Sequence, residues 1–152
     1  MLAPELTPEQ RLHEQTTEVV RATCPCCGYP TINGRGACDI CPLCRWEDDG
    51  QDDAERCPFL HSYFEHEDGR AAYTDPSYVL NGPNSDYSLS EARDNFAEYV
   101  TMFRPTDRDF ERERAQTDVK RRITAAFDRA VDGDATFAEA DAEARSLIDD
   151  LI

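Results

Sequence analysis

The apolar positions of this chain fall into two helical stretches flanking a central stretch with no helical period. From Ser88 onward apolar side chains recur every three to four residues. Leu89, Ala92, Phe96, Val100 and Phe103 make the first face, and Ser88 with Glu91 forms a capping box at its start. Pro105 is expected to end that helix, since proline removes an N–H and clashes with the preceding turn. Phe110, Val119, Ile123, Ala126, Phe127 and Ala130 mark a second helix, capped at Thr106 or Asp107 and broken at Asp132-Gly133-Asp134. Thr136 and Glu139 open a third, with Phe137, Ala140, Ala144, Leu147, Ile148 and Leu151 on its inner face. At the other end, Thr7, Pro8 and Gln10 read as the start of a helix over 5–22, with a short stripe of Leu12, Thr16, Val19 and Val20.

The middle of the chain is built differently. Asn33-Gly34, lying between Ile32 and Ile40, is a two-residue turn signal and predicts two short strands joined as a β-hairpin. Residues 61–87 are rich in Tyr, Gly, Asn and Pro and read as loop. The expected fold is therefore α+β. An N-terminal helix (1–22) precedes a small β-hairpin module (23–87), and a unit of about three helices (88–152) packs on it.

Charge narrows the range of functions. The chain has 152 residues, with 32 Asp and Glu against 16 Lys and Arg, a formal net charge of −16. Backbone binding to nucleic acid needs clustered cations to release counterions, so a primary nucleic-acid role is not expected. Docking on anionic lipid is opposed for the same reason. No stretch approaches the roughly 20 apolar residues of a membrane span. The first residues, MLAPELTPEQRLHEQ, are polar and acidic where a signal peptide has a basic and then an apolar region, so we expect a cytoplasmic protein.

Seven cysteines crowd into residues 24–57. In a reducing compartment a metal explains such a cluster better than disulfides do. Cys24-Pro25-Cys26-Cys27-Gly28 and Cys41-Pro42-Leu43-Cys44 each contain C-x-x-C, and 13 residues separate Cys27 from Cys41. A tight turn over C-x-x-C points two sulfurs at one centre, and two such knuckles supply the four thiolates of tetrahedral structural zinc. An iron centre uses the same ligands, so the metal stays open between the two. Four thiolates close the coordination shell, which argues for a structural ion and against a catalytic one. Cys26, Cys38, Cys57 and His61 could form a second site through the Cys57-x3-His61 spacing. We read them instead as small buried or free side chains.

The run Glu47-Asp48-Asp49-Gly50-Gln51-Asp52-Asp53 lacks the alternation and the distal glutamate of a calcium loop. Residues 45–75 hold ten acidic and three basic side chains. Asp48, Asp49, Asp52 and Asp53 are the candidate contacts for a basic protein partner. Trp46 is expected over the metal site or against the helix at 88–103, and Arg93 is placed to pair with the acidic run.

These motifs, in this order, resemble the bacterial cysteine-rich CPCC family. The residues that carry the resemblance are CPCCGY at 24–29, DICPLCRWEDDGQD at 39–52, Gly82-Pro83-Asn84, and Ser88-Leu89-Ser90-Glu91-Ala92-Arg93 with Asn95-Phe96. They cover roughly residues 23–100. The resemblance implies a zinc-ribbon-like module with Cys24, Cys27, Cys41 and Cys44 in the ligand positions. It brings no established activity. Members look like small accessory proteins of bacteria, some near toxin systems. Cys38, Cys57, the long segment 53–81 and the helices after Pro105 depart from the family pattern. The expectation drawn from residues and resemblance together is a non-enzymatic, zinc-stabilised acidic module that binds a basic protein, in one form as an immunity or accessory protein. The alternatives are an enzyme, or an enzyme accessory, with a pocket between ribbon and helices, and a zinc-ribbon nucleic-acid or transcription-related binder.

Overall fold

The computed structural model describes residues 22–34, 36–51 and 75–151. The expected helix over 5–22, the acidic residues Asp52 and Asp53, and Cys57 and His61 lie outside the described residues, apart from Ala22 at that helix's end. The helical unit consists of α1 (Leu89–Tyr99), a single turn or so of α2 (Phe110–Arg114), α3 (Thr117–Val131) and α4 (Phe137–Ile148). No helix among the described residues is long and apolar enough to cross a membrane.

The hairpin expected around Asn33-Gly34 is not formed among the described residues. A tight two-residue hairpin of the Asn-Gly type needs positive φ at both central positions, and neither Asn33 nor Gly34 adopts it. Each cysteine knuckle is instead closed on itself by one isolated antiparallel bridge, Ala22 with Ile32 around the first and Ile40 with Glu47 around the second. The ladder that two strands would have shared is spent locally. Ala22 N–H donates to Ile32 O at 2.8 Å, and Cys41 N–H donates to Trp46 O at 2.9 Å.

The starts of α1 and α4 and the break at Asp132 follow the sequence, whereas the cap expected at Thr106 or Asp107 is not used: α2 begins after Asp109, whose side chain makes no cap. Ser88 caps α1, its hydroxyl accepting from Glu91 N–H at 3.0 Å. The Glu91 side chain turns to Arg104. Thr136 and Glu139 form a complete capping box on α4. Pro105, however, does not end α1. The helix stops at Tyr99, because Val100 takes the left-handed conformation with φ 59°. A β-branched residue pays for that conformation, and the return is a turn back toward the second knuckle. Met102 N–H donates to Cys44 O at 2.9 Å, and Asn95 Nδ2 donates to Met102 O at 2.8 Å. The second expected helix is divided at Ala115-Gln116 into α2 and α3.

One buried cluster runs from the knuckles into the helices, joining Cys24, Cys41, Leu43 and Trp46 to Leu89, Phe127 and Leu147. Tyr29, just after the first knuckle, fixes the contact. Its ring lies 6.3 Å from Phe96 and 5.9 Å from Phe127, and its hydroxyl donates to Asp128 Oδ1 at 2.9 Å. Phe127 in turn stacks on Phe137 across α3 and α4, at 6.1 Å and 20°. We expect Tyr29→Ala to lower stability by about 2 kcal/mol through lost packing. Tyr29→Phe, which removes only an exposed hydrogen bond, should cost no more than about 1 kcal/mol. Denaturant unfolding of the two variants checks the order; equal losses would place the contribution in the hydroxyl rather than the ring.

Candidate metal centre

The two knuckles are near copies in backbone terms. In the first, Gly28 N–H donates to Cys24 O and Cys24 N–H to Tyr29 O, both at 2.9 Å. In the second, Arg45 N–H donates to Cys41 O and Cys41 N–H to Trp46 O, again at 2.9 Å. The residue leaving each turn is left-handed, with φ 82° at Gly28 and 76° at Arg45. Glycine takes that conformation freely, whereas arginine does so at a cost of order 1 kcal/mol.

The turns bring Cys24, Cys27, Cys41 and Cys44 together, with all four sulfurs within 4.8 Å of one another. Across the knuckles, Cys24 Sγ lies 3.6 Å from Cys44 Sγ and Cys27 Sγ lies 3.7 Å from Cys41 Sγ. A tetrahedral ion with metal–sulfur bonds of about 2.3 Å separates its sulfurs by about 3.8 Å. A disulfide would need about 2.05 Å, and these cysteines are free. The donor set therefore fits a four-thiolate metal site. Cys24, Cys41 and Cys44 are buried, and Cys27 alone keeps partial exposure.

The surroundings are arranged to hold negative sulfur. Cys44 N–H points at Cys41 Sγ and Trp46 N–H at Cys44 Sγ, each at 3.4 Å, and the buried Thr31 hydroxyl lies 2.9 Å from Cys41 Sγ. Burial pushes the Cys24, Cys27 and Cys44 thiols well up. At Cys41 burial acts in the same direction, but hydrogen bonds from the other three thiols and Thr31 outweigh it and hold the group well down. Cys26 is buried outside the four, and Cys38 is exposed in a left-handed conformation. Among the described residues neither belongs to a second group of metal ligands.

Several residues prominent in the sequence turn out to brace the second knuckle. Trp46 is fully buried in the shared core, and its indole N–H has no hydrogen-bond partner among the described residues. Asn84, of Gly82-Pro83-Asn84, clasps the backbone of Glu47. Its Nδ2 donates to Glu47 O at 2.8 Å and its Oδ1 accepts from Glu47 N–H at 2.9 Å. Arg93 reaches the first knuckle, where its Nε donates to Pro25 O at 2.9 Å. Asp48 points inward and is 1% exposed, its carboxylate accepting from Gly36 N–H at 2.7 Å and Gly50 N–H at 3.1 Å. Asp49 accepts from the Gln51 side chain at 2.9 Å.

A buried charge network went unread in the sequence. Glu113 and Lys120 are both fully buried and meet at 2.6 Å. Arg45, next to Cys44, donates from Nε to Glu113 Oε1 at 3.0 Å, and Lys120 Nζ also reaches Val100 O at 3.4 Å. Burial raises the Glu113 carboxyl, but the Lys120 and Arg45 cations outweigh it and hold the group below its usual range. The left-handed Arg45 is thus kept where a glycine would be easier because its guanidinium ties the knuckle to α2. The sequence signal was faint: an Arg in the position that Gly28 occupies in the other knuckle.

Two outcomes follow. Because burial holds the Cys24, Cys27 and Cys44 thiols well up and the metal takes thiolates, binding should release protons and affinity should rise with pH. Chelator competition at several pH values measures it, and a pH-independent affinity would contradict the arrangement. Lys120→Met should destabilise the protein by up to about 3 kcal/mol by leaving the buried Glu113 Oε2 without its cation, and adding Glu113→Leu should recover most of that loss. A double variant no more stable than the single one would place the effect in packing.

No curated protein and no solved structure matches the chain. One family model does: residues 22–63, the stretch that holds both knuckles and the acidic run, match the Cysteine-rich CPCC family.

Proposed function

We propose that this protein is a non-enzymatic binding module, folded around one structural zinc ion, whose acidic surface engages a basic protein. The observation that carries the first half is the convergence of Cys24, Cys27, Cys41 and Cys44 at tetrahedral spacing. Zinc is favoured over iron because the ion's role here is to hold two knuckles, and zinc does so without redox chemistry. The second half rests on the net charge of −16, which speeds encounter with a cationic partner and makes affinity fall with salt. An immunity or accessory protein that neutralises a basic toxin is one form of this reading. Nucleic-acid binding is disfavoured by the same charge.

The inward carboxylate of Asp48 narrows the proposed contact to Asp49, Asp52 and Asp53, with Asp48 bracing the loop from within. The two roles separate by substitution. Asp48→Asn should destabilise the second knuckle by about 1–3 kcal/mol through weakened charge-assisted hydrogen bonds. Asn at 49, 52 and 53 together should leave metal content and Tm unchanged while slowing association with the partner recovered from the native host by salt elution. Unaltered association at low salt would remove the acidic run from the interface.

A further inference from the structure

A cleft of about 760 Å³ opens between the second knuckle and the segment from Met102 to Arg112. Its volume lies in the range of small-molecule sites. Its lining is unusual for this chain. Four of the 16 cationic side chains, Arg45, Arg104, Arg108 and Arg112, reach it, against three carboxylates, Glu47, Asp107 and Asp109. By count of lining side chains alone the arginines outnumber the carboxylates, the reverse of what a chain of −16 presents on average.

The arginines differ in how they are held. Arg104 is fixed. It forms a double hydrogen bond to Glu91 at 2.7 Å, reaches Asp86 at 3.0 Å, and lies 4.0 Å over the Tyr87 ring. Arg45 is tied to Glu113. Arg112 is 54% exposed, with longer pairings of 3.3 Å to Glu113 and 3.5 Å to Asp109. Arg108 is exposed and makes no hydrogen bond or ion pair among the described residues. Both carboxylates adjacent to it in sequence are already engaged: Asp107 accepts from the Tyr87 hydroxyl at 2.8 Å and from Asp109 N–H at 3.0 Å, and Asp109 pairs with Arg112 at 3.5 Å. Phe103 and the 57%-exposed Ile40 add apolar surface to the same walls.

We propose that this cleft binds a small organic anion, a carboxylate or phosphate carried on an apolar or aromatic body. Arg108 and Arg112 grip the anionic head, and Phe103 and Ile40 receive the body. Guanidinium groups suit both head groups because their donors match two oxygens at once. The chain as a whole repels anions, so the affinity comes from these short-range contacts and is modest. An acidic polypeptide would meet that repulsion along its whole length, which is why a small ligand is favoured.

The test uses the metal-loaded full chain, titrated calorimetrically with phenyl phosphate and with benzoate at fixed ionic strength. Phenol serves as the neutral control. Saturable binding of at least one anion is expected, with phenol much weaker, and the tighter of the two identifies the head group. Arg108→Ala should weaken that binding about tenfold or more, and Arg108→Glu should abolish it. Both variants should keep the metal content and Tm of the parent, since Arg108 supports nothing else. Metal content measured on the same samples separates failure of this site from failure of the metal centre. Absence of saturable binding by both anions, equal binding of phenol, an unchanged affinity in Arg108→Glu, or binding of a polyglutamate peptide in place of the small anions would overturn the proposal.

Discussion

Four sulfurs, three of them on buried cysteines, drawn within 4.8 Å of one another are the constraint on which the rest of this molecule depends. As thiols they offer each other only weak hydrogen bonds. As thiolates without an ion they would repel strongly in a low-dielectric setting. A metal held there would turn this cost into the largest single stabilisation available to a small module, on the order of 10 kcal/mol. It would account for the thinness of the surrounding secondary structure. Two knuckles, each closed by a single bridge, would not hold a fold through backbone hydrogen bonding alone.

One route by which the constraint reaches the helices is a backbone hydrogen bond. The Cys44 carbonyl accepts from Met102 N–H, so the ligand's own peptide group decides where α1 must stop and turn. Arg45 then extends its side chain to Glu113, which lies fully buried against Lys120. A divalent ion with four thiolates carries an excess of roughly two negative charges. The Arg45–Glu113–Lys120 group carries a net positive charge beside it. Such a buried ion group adds little stability by itself. Placed next to an anionic metal centre it would offset part of that centre's charge, which would give an acidic protein a reason to bury a lysine completely.

What could be read from the sequence followed from chemistry that is local. C-x-x-C spacing dictates a turn with two sulfurs on one side. Ser88 and Thr136 cap their helices because a hydroxyl reaches the third N–H onward, whatever the tertiary context. What was missed depended on partners distant in sequence. Asn33-Gly34 would form a hairpin in isolation, but Ala22 and Trp46 captured the hydrogen bonds that the two strands would have shared. α1 ends five residues before Pro105's own position would require, because Cys44, 58 residues before Met102, supplies the acceptor for its return. Asp48 looked like one of several equivalent surface carboxylates, yet Gly36 and Gly50 place two N–H groups where only that one can accept. In each case a sequence preference was sound and a competing long-range bond was stronger.

The same contrast bears on where binding energy can be found in so acidic a molecule. Net charge acts at a distance and is screened within about 8–10 Å at ordinary salt. It can hasten encounter but cannot by itself specify a pose. Specific recognition needs groups fixed before the ligand arrives. The side chains fixed here lie around the second knuckle: Asn84 clasping Glu47, Asp48 holding Gly36 and Gly50, and Arg104 locked between Glu91, Asp86 and Tyr87. Each is held by at least two directional contacts, and each depends on a backbone that the four-cysteine site shapes. A ligand recognised by shape on this side of the molecule would therefore read a surface that the closed knuckles help to hold in place. Metal occupancy and binding of such a ligand would then be thermodynamically linked, and by reciprocity a ligand that favours the closed knuckles would also tighten the hold on the metal.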